Sequence, residues 1–294
     1  MAFDINRSSL ALPSAISSEI MAKVAEDSAV MKLAKRIELP GNGVTIPVIT
    51  GDPTAEFVGE TDPKPVDEPE LTTKLMSAYK IATIVPLSNE FRRDAAALYE
   101  EIVRRIPSAL GRTFDAAVFG LINKPGDNWD SFASCTAQSL TPTTGHTVYD
   151  GLVAADADIA MHDGVLNGFA LGPKAKAVLL STTDGNGRPL FINSVAEGAI
   201  PQILGAPTYI TKAAQGTGEG LDIVGFAGDW SQALYGTVEG VKIDLSDQAT
   251  LTKGNKTINL FQDNMFAVRA EIEVGFRADT SVFNKFVVTS DESE

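Results

Sequence analysis

The sequence predicts an α+β fold, and three observations carry that prediction. Apolar residues recur at spacings of three and four from Phe91 to Leu121, as one face of a long helix requires. Apolar and charged residues alternate from Phe266 to Arg277, as a strand with one buried face requires. Upstream of both, two alternating runs flank a proline-rich acidic excursion that has no place in a compact core.

Residues 1–36 read as an arm. Ser14 or Ser17 can cap a short helix carrying Ile16, Ile20 and Val24 at i, i+4 and i+8. So narrow an apolar stripe at a terminus docks either on a partner subunit or on the chain's own domain, and the residues leave both open. Gly41, Asn42 and Gly43 then turn the chain.

Val44, Ile46 and Val48 form one strand of a long hairpin. Residues 71–85 read as a single returning strand, with Leu75, Tyr79, Ile81 and Val85 on one face and Lys74 and Lys80 on the other. Between them, residues 56–70 carry six carboxylates against Lys64 alone, together with Pro63, Pro65 and Pro69. Proline fixes φ and removes a backbone donor, so this tip is extended and solvated. An isolated hairpin is marginal in water, so another subunit is expected to hold it.

Ser88 is the expected N-cap of the long helix, with Glu90 in its first turn favouring the helix dipole. The period runs through Ala95, Leu98, Ile102, Ile106, Leu110, Phe114 and Val118, roughly 30 residues and ~45 Å, with a kink expected at Pro107. The other faces carry Arg92, Arg93, Arg104, Arg105 and Arg112 against Glu90, Asp94, Glu100, Glu101 and Asp115, which reads as a solvated surface.

Residues 126–145 read as a polar connector. Beyond it come a helix over 148–160 with Val148, Leu152, Val153 and Ile159 inward, a strand at 169–171, and a helix at 174–180. A turn follows at 184–187, then strands at 207–210, 221–226, 231–235 and 241–245, with a glycine-rich loop at 216–220. In the last strand Phe266, Val268, Ala270, Ile272, Val274 and Phe276 face one way, and Arg269, Glu271, Glu273 and Arg277 the other.

Composition narrows the function classes. The 294 residues suffice for a sizeable core or two smaller ones, and 44% hydrophobic content excludes general disorder. No apolar run approaches the ~20 residues of a membrane span. Asp4 and the lack of an apolar h-region argue against a secretory signal, and a lone cysteine, Cys135, suits a reducing compartment. A net charge of −14 argues against binding DNA through a general basic surface.

The motifs in order carry a resemblance. G-E-x-x-x-K-P over residues 59–65, the strand after it, and I-x-x-x-V-P-L-S-N-E ending at Glu90 resemble the major capsid proteins of tailed bacteriophages, the Hong Kong 97-type fold. Gly228-Asp229-Trp230 and the C-terminal strand extend the resemblance over nearly the whole chain. It implies an N-terminal arm (1–40), an E-loop hairpin lying over a neighbouring subunit (41–86), and a peripheral domain with a long spine helix (87–146) to which the C-terminal strands return (252–294). It also implies an inserted axial α/β domain (147–251) whose tips meet at fivefold and sixfold axes.

The function so implied is a capsid protein that self-assembles into pentamers and hexamers of an icosahedral virion shell. The shell encloses double-stranded DNA without sequence-specific binding, and is built in the bacterial cytoplasm with neither cofactor nor membrane. Expected partners are further copies of the chain, a portal, a separate scaffolding protein because the chain starts just before the arm, and in some shells a decoration protein. Interface residues implied are Phe57, Glu60, Asp62, Lys64, Asp67 and Glu68 on the loop, with Arg92, Arg93, Arg104, Arg105 and Arg277 to receive a neighbour.

Enzyme chemistry finds little support. His146 and His162 lack metal-ligand spacing, and no G-x-S-x-G elbow or Walker sequence occurs. Trp129 and Trp230 read as packing residues. The resemblance alone implies one reaction: in the founding member an E-loop lysine bonds to an asparagine of another subunit with a glutamate as base. Lys64, Asn264 and Glu271 hold the matching positions. Against it, Lys64 reads equally as a loop lysine, Asn264 as a strand cap and Glu271 as the partner of Arg269. Two other readings stand beside the virion shell: an encapsulin-like compartment enclosing cargo enzymes, and a soluble α/β enzyme or binding module.

Overall fold

The computed structural model describes residues 24, 28–41, 43–49, 57–58, 71–90, 96–184, 187–191, 202–218, 220–254 and 256–289. Two sheets and one long helix carry the fold. The first sheet is organised on β14 (Met265–Ala278), whose alternation places Phe266, Val268, Ala270, Ile272, Val274 and Phe276 all in the core. One edge of β14 pairs antiparallel with β4 (Tyr79–Ser88) from Met265↔Ser88 to Val274↔Tyr79. The other edge takes β10 (Ala233–Thr237) and β11 (Lys242–Ser246) in succession, and β1 (Lys35–Glu38) adds in parallel to β10.

The second sheet runs β5 (Thr136–Ser139), β15 (Phe283–Thr289), β9 (Leu221–Gly228), β6 (Gly168–Leu171), β8 (Ala206–Ile210), β7 (Gln202–Ile203). Two small hairpins stand outside the sheets. One joins β2 (Val44–Ile49) to β3 (Leu71–Met76), and the other joins β12 (Thr250–Lys253) to β13 (Lys256–Asn259).

Short α1 (Ala29–Leu33) precedes β1. The long helix α2 (Ala96–Val118) keeps Pro107 inside it and spans about 34 Å. Ile106, Leu110, Phe114 and Val118 are buried as the period requires. Phe114 packs edge-on to Trp129 and Phe276, while Phe119 stacks on Phe226 of β9 at 4.6 Å, so one core runs from the first sheet into the second. The helix ends where Leu121 N–H reaches back to the Ala116 carbonyl at 2.9 Å and Gly120 takes φ +73, a left-handed closure suited to glycine. Asn89 and Glu90 are helical, and Glu90 N–H donates to the Ser88 hydroxyl; residues 91–95, between this turn and α2, lie outside the described residues.

Helices α3 (Val148–Met161) and α4 (Pro173–Ser181) cover one face of the second sheet. Thr147 and Asp150 close a reciprocal capping box at the start of α3, and Leu152, Phe169, Leu171, Leu179 and Phe286 fill the core beneath.

The structure corrects several expectations. The run over 71–85 is two strands, and the bend at Ser77-Ala78 reverses which parity is buried: Met76 is buried in β3, whereas Tyr79, Ile81 and Val85 turn inward in β4. The expected arm of residues 1–40 is part of the folded body from Ser28, because α1 docks on α2 and β1 joins the first sheet. Val24 is buried against the chain's own α2, where Gly111 allows its carbonyl close approach; Ile16 and Ile20 lie outside the described residues. Strands β10 and β11, expected within 147–251, pair with β14, while β15, expected among the strands of 252–294 that return beside the long helix, completes the second sheet. A bulge between Phe286 and Val287 interrupts the alternation that would have announced β15. Val153 faces outward, and Asp115 is buried.

Candidate intersubunit surface

The hairpin β2–β3 is tied to the body at its base only, among the described residues. Met76 sits over the cross-strand pair Gly236–Gly275: a Cβ on Gly275 would meet the Met76 Cγ at 2.7 Å, and one on Gly236 its Sδ at 3.0 Å. Both glycines are therefore needed for close approach, not for a turn.

Arg277 clamps the same base. Its Nε donates to the Leu75 carbonyl at 2.8 Å, Nη1 to Asp130 Oδ1 at 2.9 Å, and Nη2 to Asn128 Oδ1 at 3.1 Å. Asn128 Nδ2 donates in turn to Ser77 Oγ, and its N–H to the Tyr79 hydroxyl, so the 128–130 segment braces the bend. Lys74 Nζ adds a bond to the Ala278 carbonyl at 3.2 Å. Arg277 was expected to receive a neighbouring chain; within its own chain all three of its nitrogens are engaged. A planar fork suits that work better than an ammonium would.

Beyond this clamp the hairpin leads to Phe57 and Val58, both exposed. Phe57 is wholly so, at 110% of its reference area. Glu60, Asp62, Lys64, Asp67 and Glu68 lie outside the described residues, as do Arg92 and Arg93. Arg104 lies on α2, and Arg105 is exposed there.

A model of the phage capsid family matches residues 9–284. The chain belongs to that family. It is 32% identical over 274 residues to the probable major capsid protein gp17 of Mycobacterium phage D29, covering 89% of this chain and 84% of that one. It is 24% identical over 279 residues to the major capsid protein of Staphylococcus phage 80alpha, covering 91% and 82%. Among solved structures, a chain of Gordonia phage Cozz superposes with a TM-score of 0.75 at 22% identity, covering 90% of this chain and 87% of that one. The fold is the Hong Kong 97-type capsid fold, and the family is structural rather than enzymatic.

In this capsid chain Asn264 and Glu271 each have partners within the same copy. Lys64 lies outside the described residues. Asn264 takes φ +50 in the turn before β14, and its carboxamide oxygen accepts from Asn89 Nδ2 at 3.1 Å. Glu271 lies between Lys80 Nζ at 3.7 Å and Arg269 Nε at 3.9 Å, inside an ion-pair row that Glu273 and Asp244 extend. The Glu273 carboxylate beside it holds the exposed Lys80 ammonium above its ordinary range. Asn264 and Glu271 are seven residues apart, roughly 23 Å along the strand, so within one copy they cannot act on the same bond.

Three features of the capsid chain were not legible beforehand. Met76 stood on the wrong parity of its run, the 128–130 brace carried no periodic signal, and Asp115 read as one more surface acid. Trp129 and Trp230 are buried in the core as expected.

Proposed function

We propose that this chain is the major capsid protein of a tailed phage. Many copies form the pentamers and hexamers of an icosahedral shell around double-stranded DNA. The observation that carries the reading, beyond family membership, is a hairpin that, among the described residues, is anchored at its base and carries an exposed Phe57. On this reading the first sheet with α2 is the peripheral domain and α2 its spine helix. The second sheet with α3 and α4 is the axial domain, and residues 56–70 lie across a neighbour's spine helix, where Arg92, Arg93, Arg104 and Arg105 balance the acidic tip. Exposed pairs contribute only about 0–1 kcal/mol each, so the contact works through several of them over a large area. A portal, scaffolding and, on the finished shell, a decoration protein are the partners, and assembly proceeds in the host cytoplasm. The acidic chain encloses the genome without reading its sequence.

The encapsulin-like alternative loses ground because the curated relatives are named as phage capsid proteins. Negative-stain microscopy of purified protein, with a nuclease-protection assay on native particles, tests the proposal. Shells containing protected DNA are expected. Shells holding protein cargo and no DNA, or a monodisperse monomer under all conditions, would overturn it. Deleting residues 62–68 should leave a folded, soluble chain that closes no shells.

A further inference from the structure

Helix α3 has two apolar faces. Val148, Leu152, Ala155 and Ile159 are buried in the second core, as any amphipathic helix requires. Opposite them, Tyr149, Val153, Ala157 and Met161 recur at i, i+4, i+8 and i+12, and all four are exposed; Met161 keeps 75% of its area. No basic residue occurs in α3, and exposed Asp156 flanks the outer stripe. A continuous outward stripe on a well-capped helix is not the scattered exposure common on protein surfaces.

The complementary surface lies where α4 meets the turn at residues 212–215, which packs on the long helix α2. α3 packs on β5 and β15, toward one edge of the second sheet, whereas α4 packs on β9. Pro173, Lys174, Ala177, Lys212 and Gln215 line a shallow cleft of about 450 Å³ there, so its lining pairs two small apolar side chains with two lysines. Helix α4 carries Lys174 and Lys176 and no acid. Lys174 is paired with Asp222 at 2.5 Å; Lys176 and Lys212 have no ion-pair partner among the described residues. One patch is thus an apolar helix face flanked by an acid, and the other a shallow cleft lined by lysines and two small apolar residues.

We propose that the outer face of α3 of one copy seats against the α4–Lys212 cleft of the next, head to tail around the capsomer axis. Two different patches on one chain make a heterologous contact, which closes into a ring when the rotation per copy allows it. Opposite charge at the rim sets the register, and the Tyr149–Met161 stripe supplies the buried apolar area. The inference rests on the shell reading and adds which residues of neighbouring copies meet.

Charge exchange tests it in the full-length chain. Variant one carries Asp156→Lys with Ala160→Lys, variant two Lys176→Glu with Lys212→Glu, and variant three all four changes. The substituted side chains lie outside the buried core, so far-UV circular dichroism should match wild type in each. Assembly is read by light scattering and electron microscopy. Variants one and two should each lower the assembled fraction about tenfold or more through like-charge contact, and variant three should return it to near the wild-type level. Wild-type assembly in variant one or two, or no recovery in variant three, overturns the pairing while leaving the shell reading intact. A wild-type chain that forms no rings or shells overturns the shell reading and the pairing with it.

Discussion

The Ser28 hydroxyl donates to the Asp115 carboxylate across 2.5 Å, joining the start of α1 to the middle of the core through a group that is fully buried. The Ala29 and Val30 N–H groups donate to the same carboxylate at 2.9 and 3.4 Å, while Ser28 Oγ accepts from Met31 N–H as the N-cap of α1. Asp115 therefore satisfies donors that a helix start leaves orphaned, from 86 residues away in the Ala29 bond. Removing it leaves those donors buried and unmet. Asp115→Ala should destabilise the unassembled chain by about 2–4 kcal/mol, and Ser28→Ala by about 1 kcal/mol, measured by denaturant unfolding. Equal stability of Asp115→Ala and wild type would mean that α1 is held by packing alone.

The same site makes the attachment of α1 depend on pH. Burial pushes the Asp115 carboxyl up to about 7, against the opposing pull of Ser28, Ala29, Val30 and Lys32. A folded-state value raised above the ordinary 3.8 means that the fold favours the protonated form. Its stabilising contribution is complete below that ordinary value and is lost as pH rises through about 7. Hydrogen exchange at the Ala29, Val30 and Met31 amides, corrected for intrinsic rate, should show more protection at pH about 5.5 than at about 8. Asp115→Asn should flatten the dependence. An unchanged slope in that variant would assign the effect to another group.

The glycine seat beneath Met76 sets where the hairpin leaves the body. Gly275→Ala places a methyl 2.7 Å from Met76 Cγ and 2.8 Å from the Ser77 carbonyl, so the bend must shift. The expected cost is about 1–3 kcal/mol of stability, with shell closure lost in a chain that still folds. Met76→Ala combined with Gly275→Ala should recover part of the stability by relieving the overlap. Normal particles from Gly275→Ala would show that the hairpin tolerates a displaced base.

Arg277→Lys offers a gentler probe of the same base. An ammonium cannot reach Leu75, Asp130 and Asn128 together, so proteolysis within residues 50–70 should accelerate while the thermal midpoint changes little. Asp130→Asn should act in the same direction. If neither changes the cleavage rate, the clamp does not restrain the hairpin.

Occupied partners at Asn264 and Glu271 favour a shell held without Lys64–Asn264 bonds. Mature, DNA-filled particles boiled in denaturant should run as a single band near 31 kDa, unchanged by Lys64→Arg. A ladder abolished by that substitution would establish the isopeptide bond and require a neighbouring copy to supply the Glu271 carboxylate.

The sequence by itself determined the helix through Ile106, Leu110, Phe114 and Val118, the buried face of β14, the hairpin rising from Val44, and the phage capsid family. Each of these follows from a period or an ordered motif, which a chain displays before it folds. Only the tertiary structure decided that β4, β10 and β11 meet on β14 while β15 crosses to the second sheet. Alternation states which face of a strand is buried, but backbone hydrogen bonds choose its neighbours and are alike for every residue type. Likewise Asp115 lies on the same helix as exposed Arg112, and nothing local separates the buried acid from the exposed base. What buries Asp115 is the arrival of Ser28 and two backbone N–H groups; what releases Met76 from its strand's parity is a bend braced by Asn128 and Arg277. Those partners are remote in sequence, and only folding brings them within hydrogen-bonding distance.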